Sequence, residues 1–162
     1  MRNPHQHSLR RIAPLLILCL AAFAKSDEPG PDIAIVVGPD VPVTNISFPE
    51  LRRLMLGEKQ YWSSSLRVTL LVRAPGSRER EVVLRSIYQM SEAQFRQFWI
   101  AKVFRAEAPS GPRIVYSNEM ATDIAMSTAG AVAFVDAAEI PKGLRVLKIN
   151  GLLPGQKGYP LR

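Results

Sequence analysis

The residues best suited to chemistry lie in the stretch Arg67-Val-Thr-Leu-Leu-Val-Arg73-Ala-Pro-Gly76-Ser77-Arg78. Its apolar, β-branched run over 67–72 predicts a strand, and Ala74-Pro75-Gly76 predicts a tight turn. Ser77 is a good N-cap, and Val83, Leu84, Ile87 and Tyr88 recur behind it at helical spacing. A strand, a glycine turn and a helix start leave free backbone N–H groups facing outward, where an anion can be held. Arg73 and Arg78 add guanidinium groups and Ser77 adds a hydroxyl. The chemistry is anion capture. The same pattern also serves as a plain βα connection, with Ser77 only an N-cap and Arg78 and Glu79 solvated first-turn charges.

Composition narrows the alternatives. The chain has 162 residues and a formal charge of +7. Arg2, Arg10 and Arg11 precede the apolar run 12–21, and Ala22-Phe23-Ala24 is a small-residue cleavage site, so residues 1–24 read as a signal peptide for export to the periplasm. Its apolar run is too short for a comfortable membrane span, and none is expected after cleavage. Removing residues 1–24 leaves 138 residues and lowers the charge to +4, too mild an excess to suggest nucleic acid. It also removes Cys19, His5 and His7, the chain's complete set of cysteine and histidine. What remains has no thiolate, imidazole base, disulfide or thiol metal ligand, so no cofactor or metal is expected. An enzyme would need Ser77 with a lysine such as Lys102 or Lys142, or a carboxylate pair such as Glu79 and Asp123. No motif supports either.

The remaining elements position that turn. Residues 25–31 read as a flexible lead-in, and 32–162 as one α/β unit. Ile33–Val37 is a continuous apolar run, expected as a strand buried on both faces. Ser47-Phe-Pro-Glu50 and Ser91-Glu-Ala-Gln94 are capping boxes, and Gly57 should stop the first helix. Trp62 is expected to plug its polar loop onto the core. Phe95, Phe98, Trp99 and Val103 should share the buried face of a helix. Arg113–Tyr116 and Ala131–Val135 read as strands, with a helix capped by Ser117 or Asn118 between them. Leu144–Ile149 reads as one half-exposed strand, antiparallel to the strand before it because the connection is short. The turn-rich tail Gly151–Arg162 is expected to wrap the surface. Five strands and four helices give a mixed, mostly parallel sheet flanked by helices.

Four segments, in order, resemble the phosphate-type periplasmic substrate-binding proteins of ABC transporters. They are Leu51-Arg-Arg-Leu-Met-Leu-Gly57 with Trp62, Arg73-Ala-Pro-Gly76-Ser77, Thr128-Ala-Gly-Ala-Val-Ala-Phe-Val135, and Ile149-Asn-Gly151-Leu-Leu-Pro154 with Tyr159-Pro160-Leu161. The resemblance covers about residues 32–162 and implies a single periplasmic-binding-protein-like lobe. It further implies a phosphate-like oxyanion held by Arg73, Gly76 and Ser77, to which the chain's own Arg78 and the loop residues Thr44 and Asn45 are added as candidate contacts. Implied partners are an ABC permease, another envelope protein or a second copy of the chain.

The chain departs from the family pattern at the turn. Pro75 stands where the family has an aspartate, and Arg78 and Glu79 replace a Gly-Thr pair. Glu79 places a carboxylate in the first helical turn, which opposes an incoming anion by roughly 0.3–1 kcal/mol. The partner lobe of the two-lobe family is expected to be missing. Two readings follow: an oxyanion-binding lobe serving uptake or sensing, and a lobe on the same fold that has lost its ligand and acts as an envelope interaction module.

Cleavage after Ala24 places the mature N-terminus at Lys25. Intact-mass spectrometry of the exported protein checks this. A chain that begins at Met1, or that carries an acyl group on Cys19, overturns it.

Overall fold

Ile33-Ala-Ile-Val-Val37 has no polar residue and no alternation, so a strand made from it must be covered on both faces. In the computed structural model, which describes residues 30–162, this run is β1 (Ile33–Val37) and every residue in it is buried. The expected signal segment and most of the lead-in lie outside the described residues.

β1 stands between β5 (Ala131–Asp136) and β6 (Arg145–Val146), antiparallel to both. The sheet order is β4 (Arg113–Val115), β3 (Thr69–Arg73), β5, β1, β6. Because β3 is parallel to both β4 and β5, four strands share one direction and β1 alone opposes them. The result is a mixed, mostly parallel five-stranded α/β lobe.

The mixed character has a different origin from the expected one. The strands on either side of the short 137–144 connection are not paired. β5 and β6 run the same way with β1 between them, because a strand apolar on both faces belongs inside the sheet. The expected strand Leu144–Ile149 is also divided. β6 ends at Val146, Leu147 is fully buried, and β7 (Lys148–Ile149) pairs in parallel with β2 (Asn45–Ile46) in a separate two-stranded ribbon.

Helices cover both faces. α4 (Asn118–Ser127) lies on one face through Ala121 and Ala125, against Ala34, Ala131 and Ala133. Small side chains on both sides bring helix and sheet close. The thicker core on the other face holds α1 (Phe48–Met55), α2 (Arg78–Val83) and α3 (Glu92–Phe104), with Phe134, Tyr88 and Trp99 filling the space between. α2 runs into one π-helical turn, Leu84–Tyr88, which ends at Gln89 in the left-handed region (φ 56°). The tail does more than wrap the surface. Tyr159 and Leu161 are buried, the Leu161 carbonyl accepts from the Ile33 amide (2.9 Å), and the Tyr159 hydroxyl donates to the Ile33 carbonyl (2.8 Å).

Local signals translate with two exceptions, at Ser47 and at Val103. Ser91 forms a complete capping box with Gln94, whereas at Ser47 only half of the box forms, because Glu50 turns to Lys59. Ser117 rather than Asn118 caps α4. Phe95 and Trp99 are buried and Phe98 partly so, but Val103 is exposed beside Ile100 and Phe104. Trp62 plugs its loop as expected, and its indole N–H donates to the Gly130 carbonyl at 2.8 Å.

Ser91→Ala removes the acceptor for the Gln94 amide and loosens the reciprocal bond from the Ser91 amide to Gln94 Oε1. It should lower stability by about 1 kcal/mol. Urea unfolding checks this: the midpoint should fall while the slope stays constant.

Candidate functional site

The turn after β3 forms as its residue types dictate. Pro75 and Gly76 are exposed, and Gly76 adopts φ +84° with open space where a Cβ would stand. Glycine is there for its backbone freedom and not for lack of room. Ser77 caps α2, its hydroxyl accepting from the Arg80 amide at 3.3 Å, and the Arg78 and Glu79 amides point out of the first turn. The turn sits at the carboxyl end of β3, between the carboxyl ends of β4 and β5, the usual place for a ligand in an open α/β sheet.

Arg73 ends β3 beneath this turn, with its side chain only 11% exposed. Its Nη1 lies 3.4 Å from Glu79 Oε1 and also donates to Asn118 Oδ1, while Nη2 lies 3.5 Å from the Tyr116 carbonyl. The Nε of Arg73 is buried and finds no acceptor among the described residues. Asn118 in turn donates its Nδ2 to Glu139. Since arginine can only donate, this arrangement fixes the orientation of the amide. Glu79, Arg73, Asn118 and Glu139 form one polar chain across the sheet edge.

A second arginine braces the turn from below. Arg80 is buried, donates Nη1 to the Arg73 carbonyl (2.9 Å), and grips Glu92 through two bonds of 2.8 and 2.7 Å. Its guanidinium also lies 4.7 Å from the centre of the Phe95 ring. The clamp ties the end of β3 and the start of α3 to α2.

Of the residues singled out in the sequence, Arg73, Gly76, Ser77 and Arg78 share this one turn. The Arg78 guanidinium packs against Gly30 and makes no hydrogen bond or ion pair among the described residues. Thr44 and Asn45 belong to a different seam. The Thr44 carbonyl accepts from the Lys148 amide (3.0 Å), and Asn45 Oδ1 accepts from the Gly151 amide (2.8 Å). The alternative Ser77–lysine and Glu79–Asp123 pairs gain no contact. Lys102 lies 3.7 Å from Glu107, and Glu79 is engaged with Arg73.

Sequence reading missed Arg80, Glu92 and Asn118 as parts of the site, and took Glu79 as solvated. A signal was present. Arg80 stands three, four and seven residues before Val83, Leu84 and Ile87, and Glu79 stands three and four before Val82 and Val83, so both fall on the apolar face. A buried carboxylate has to find a partner, and Arg73 is the one within reach.

No protein-family model and no curated protein matches the sequence. Solved structures do match the fold. An ABC-type phosphate transport receptor from Vibrio cholerae aligns with TM-score 0.60 and 16% identity over 75% of this chain and 48% of that one. A phosphate ABC transporter substrate-binding protein from Clostridium perfringens, solved with bound phosphate, gives 0.61 and 12% over 76% and 46%. PstS from Borrelia burgdorferi gives 0.60 and 19% over 76% and 49%. The chain therefore spans about half the length of these proteins and has the fold of a phosphate-type periplasmic-binding-protein lobe. At these identities the likeness is one of fold.

Hydrogen bonding from Arg80 holds the Glu92 carboxyl below the ordinary glutamate value of 4.5. A carboxylate whose folded pKa is depressed adds stability above its unfolded value and loses it as pH falls through the folded one. Glu92→Gln should therefore lower the melting temperature near neutral pH. That deficit should begin to shrink as the pH falls through the ordinary value of 4.5 and close only below the depressed folded value. Melts of both proteins across that range check it. A deficit of constant size would falsify the assignment.

Proposed function

We propose that the chain is an exported solute-binding lobe of the cell envelope, carried to the periplasm by residues 1–24. It takes phosphate or another small oxyanion at Arg73, Gly76, Ser77 and Arg78 as part of ABC-type uptake or sensing. The observation that carries this reading is the Arg73–Glu79 pair (3.4 Å). The guanidinium beneath the turn already holds a two-oxygen anion, supplied by the chain itself. The fold likeness to phosphate transport receptors supports the same reading.

The pair also sets the strength of binding. Charge-assisted bonds of roughly 1.5–3 kcal/mol each are present both before and after an oxyanion displaces Glu79, so they largely cancel. The surplus comes from the outward amides of Arg78 and Glu79 and the Arg78 guanidinium, and it is small. The lobe alone is a weak binder, and a second surface strengthens it: a second copy, a permease or another envelope protein.

The same pair favours a second reading, in which Glu79 permanently occupies the subsite and the lobe is an interaction module without a ligand. Isothermal calorimetry with phosphate, sulfate and small carboxylates at low salt separates the two. On the first reading wild type binds at millimolar concentrations and Glu79→Thr gains about tenfold, having lost the competing carboxylate. Adding Arg73→Gln to Glu79→Thr then abolishes binding without leaving a buried carboxylate unpaired. No oxyanion binding by either wild type or Glu79→Thr overturns the first reading.

A further inference from the structure

A second concavity lies at the opposite ends of the same strands. β3 begins there with Thr69 and Leu70 and ends at Arg73, so at roughly 3.3 Å per residue the two places are about 13 Å apart. β4 likewise begins there, with Arg113.

The groove encloses about 410 Å³, within the usual size of small-molecule sites. Leu54, Leu70, Trp99, Ala108 and Pro112 give it an apolar lining. Gly57 and Gly111 flank the indole. A Cβ on Gly57 would stand 3.0 Å from Trp99 Cη2, and one on Gly111 would stand 3.7 Å from Trp99 Cβ. Gln60 braces the walls, its amide donating to the Glu107 carbonyl across the groove at 2.7 Å.

Its charge has one sign. Lys59, Arg67 and Arg113 line it, and no aspartate or glutamate does. Lys59 is spoken for by Glu50. Arg67 bonds only the neutral Gln60 (3.2 Å) and lies over the Tyr61 ring, and Arg113 has no ion pair or side-chain hydrogen bond among the described residues. The carboxylates adjacent in sequence to lining residues have partners outside the groove: Glu107 is taken by Arg105 at 2.6 Å, and Glu58 lies 3.7 Å from Arg53.

We propose that this groove binds a small amphipathic anion, with an apolar or aromatic body against Trp99 and a single carboxylate-type head between Arg67 and Arg113. The site is separate from the Arg73 turn, and its ligand differs in kind: the body supplies most of the buried area and the head supplies orientation.

The test uses 8-anilinonaphthalene-1-sulfonate and its neutral counterpart N-phenyl-1-naphthylamine, followed by fluorescence with the folded, cleaved protein. Wild type should bind the sulfonate saturably, one per chain, about tenfold more tightly than the neutral probe. The double variant Arg67→Gln/Arg113→Gln, at two exposed residues, should bring the two affinities within about twofold. Gly111→Leu grows a side chain across the indole from a position of ordinary backbone conformation. It should weaken both probes about tenfold or more. Unsaturable probe uptake by wild type overturns the proposal, as does a sulfonate affinity that the double arginine variant leaves unchanged. If Gly111→Leu fails to fold by circular dichroism, the arginine variant decides alone. A sulfonate bound at the Arg73 turn would be indifferent to both variants, which also counts against the groove.

Discussion

The sheet depends on the close passage of Gly130 by Arg67. A Cβ at position 130 would lie 1.9 Å from the Arg67 carbonyl oxygen, and the residue sits at φ +68°, so sterics and backbone conformation both demand glycine. Three connections converge on that one residue. Its carbonyl accepts from the Thr69 amide (3.0 Å) and from the Trp62 indole (2.8 Å), and its amide donates to Asp40 Oδ2 (2.8 Å). The first starts the β3–β5 pairing, the second pins the 58–66 loop, and the third fixes the chain leaving β1. Any side chain at 130 pushes β3 away from β5. The parallel half of the sheet, and with it the turn after Arg73, would then lose its register.

With β3 held in register, Arg73 and Arg80 do the remaining work at the far end. Arg80 is buried and the Arg73 side chain nearly so, and a buried guanidinium has to be paired. Arg80 reaches Glu92 by two bonds and the Arg73 carbonyl by a third, so the backbone under the turn is tied through one side chain to the start of α3. Arg73 divides its donors between Glu79, Asn118 and the Tyr116 carbonyl. In this geometry the first turn of α2 carries its own counter-ion. The departure from the family pattern at position 79 is therefore more than a repulsive charge near a helix end. On the proposed function it is a competitor seated on the guanidinium that an oxyanion would use.

Much of this was legible in residue order because the relevant signals are local. Continuous apolarity marked Ile33–Val37, a serine with a glutamine three residues on marked the start of α3, and Ala-Pro-Gly-Ser marked the turn. The illegible parts depend on what lies across the chain. Leu144–Ile149 alternates like one strand, but its pairing with β1 stops at Val146 and β2 captures the next residues, which no local pattern encodes. Val103 continues the spacing of Phe95 and Trp99, yet the core ends before it, leaving Ile100 and Phe104 exposed at 69% and 90%. Charge misled most at Glu79. Read one residue at a time it is a surface glutamate, and only its phase relative to Val82 and Val83 shows that it faces inward.

The two ends of β3 and β4 differ in one physical respect that decides what each can hold. At the carboxyl ends the guanidinium groups are desolvated and already matched by carboxylates, so a ligand exchanges one set of charge-assisted bonds for another and gains little. At the amino ends Arg67 and Arg113 remain in contact with water, which is why they can stand without acids at all. A ligand there competes only with solvent, and a charged head alone would gain little in so high a dielectric. What changes the balance is the apolar wall beside the cations. A body buried against Leu70, Pro112 and the edge of Trp99 would contribute roughly 25 cal/mol per Å² and bring the head group into a less hydrated setting, where the guanidinium forks act more strongly. On the two proposals, selectivity at the turn would rest on displacing Glu79, and selectivity at the groove on joining area to charge.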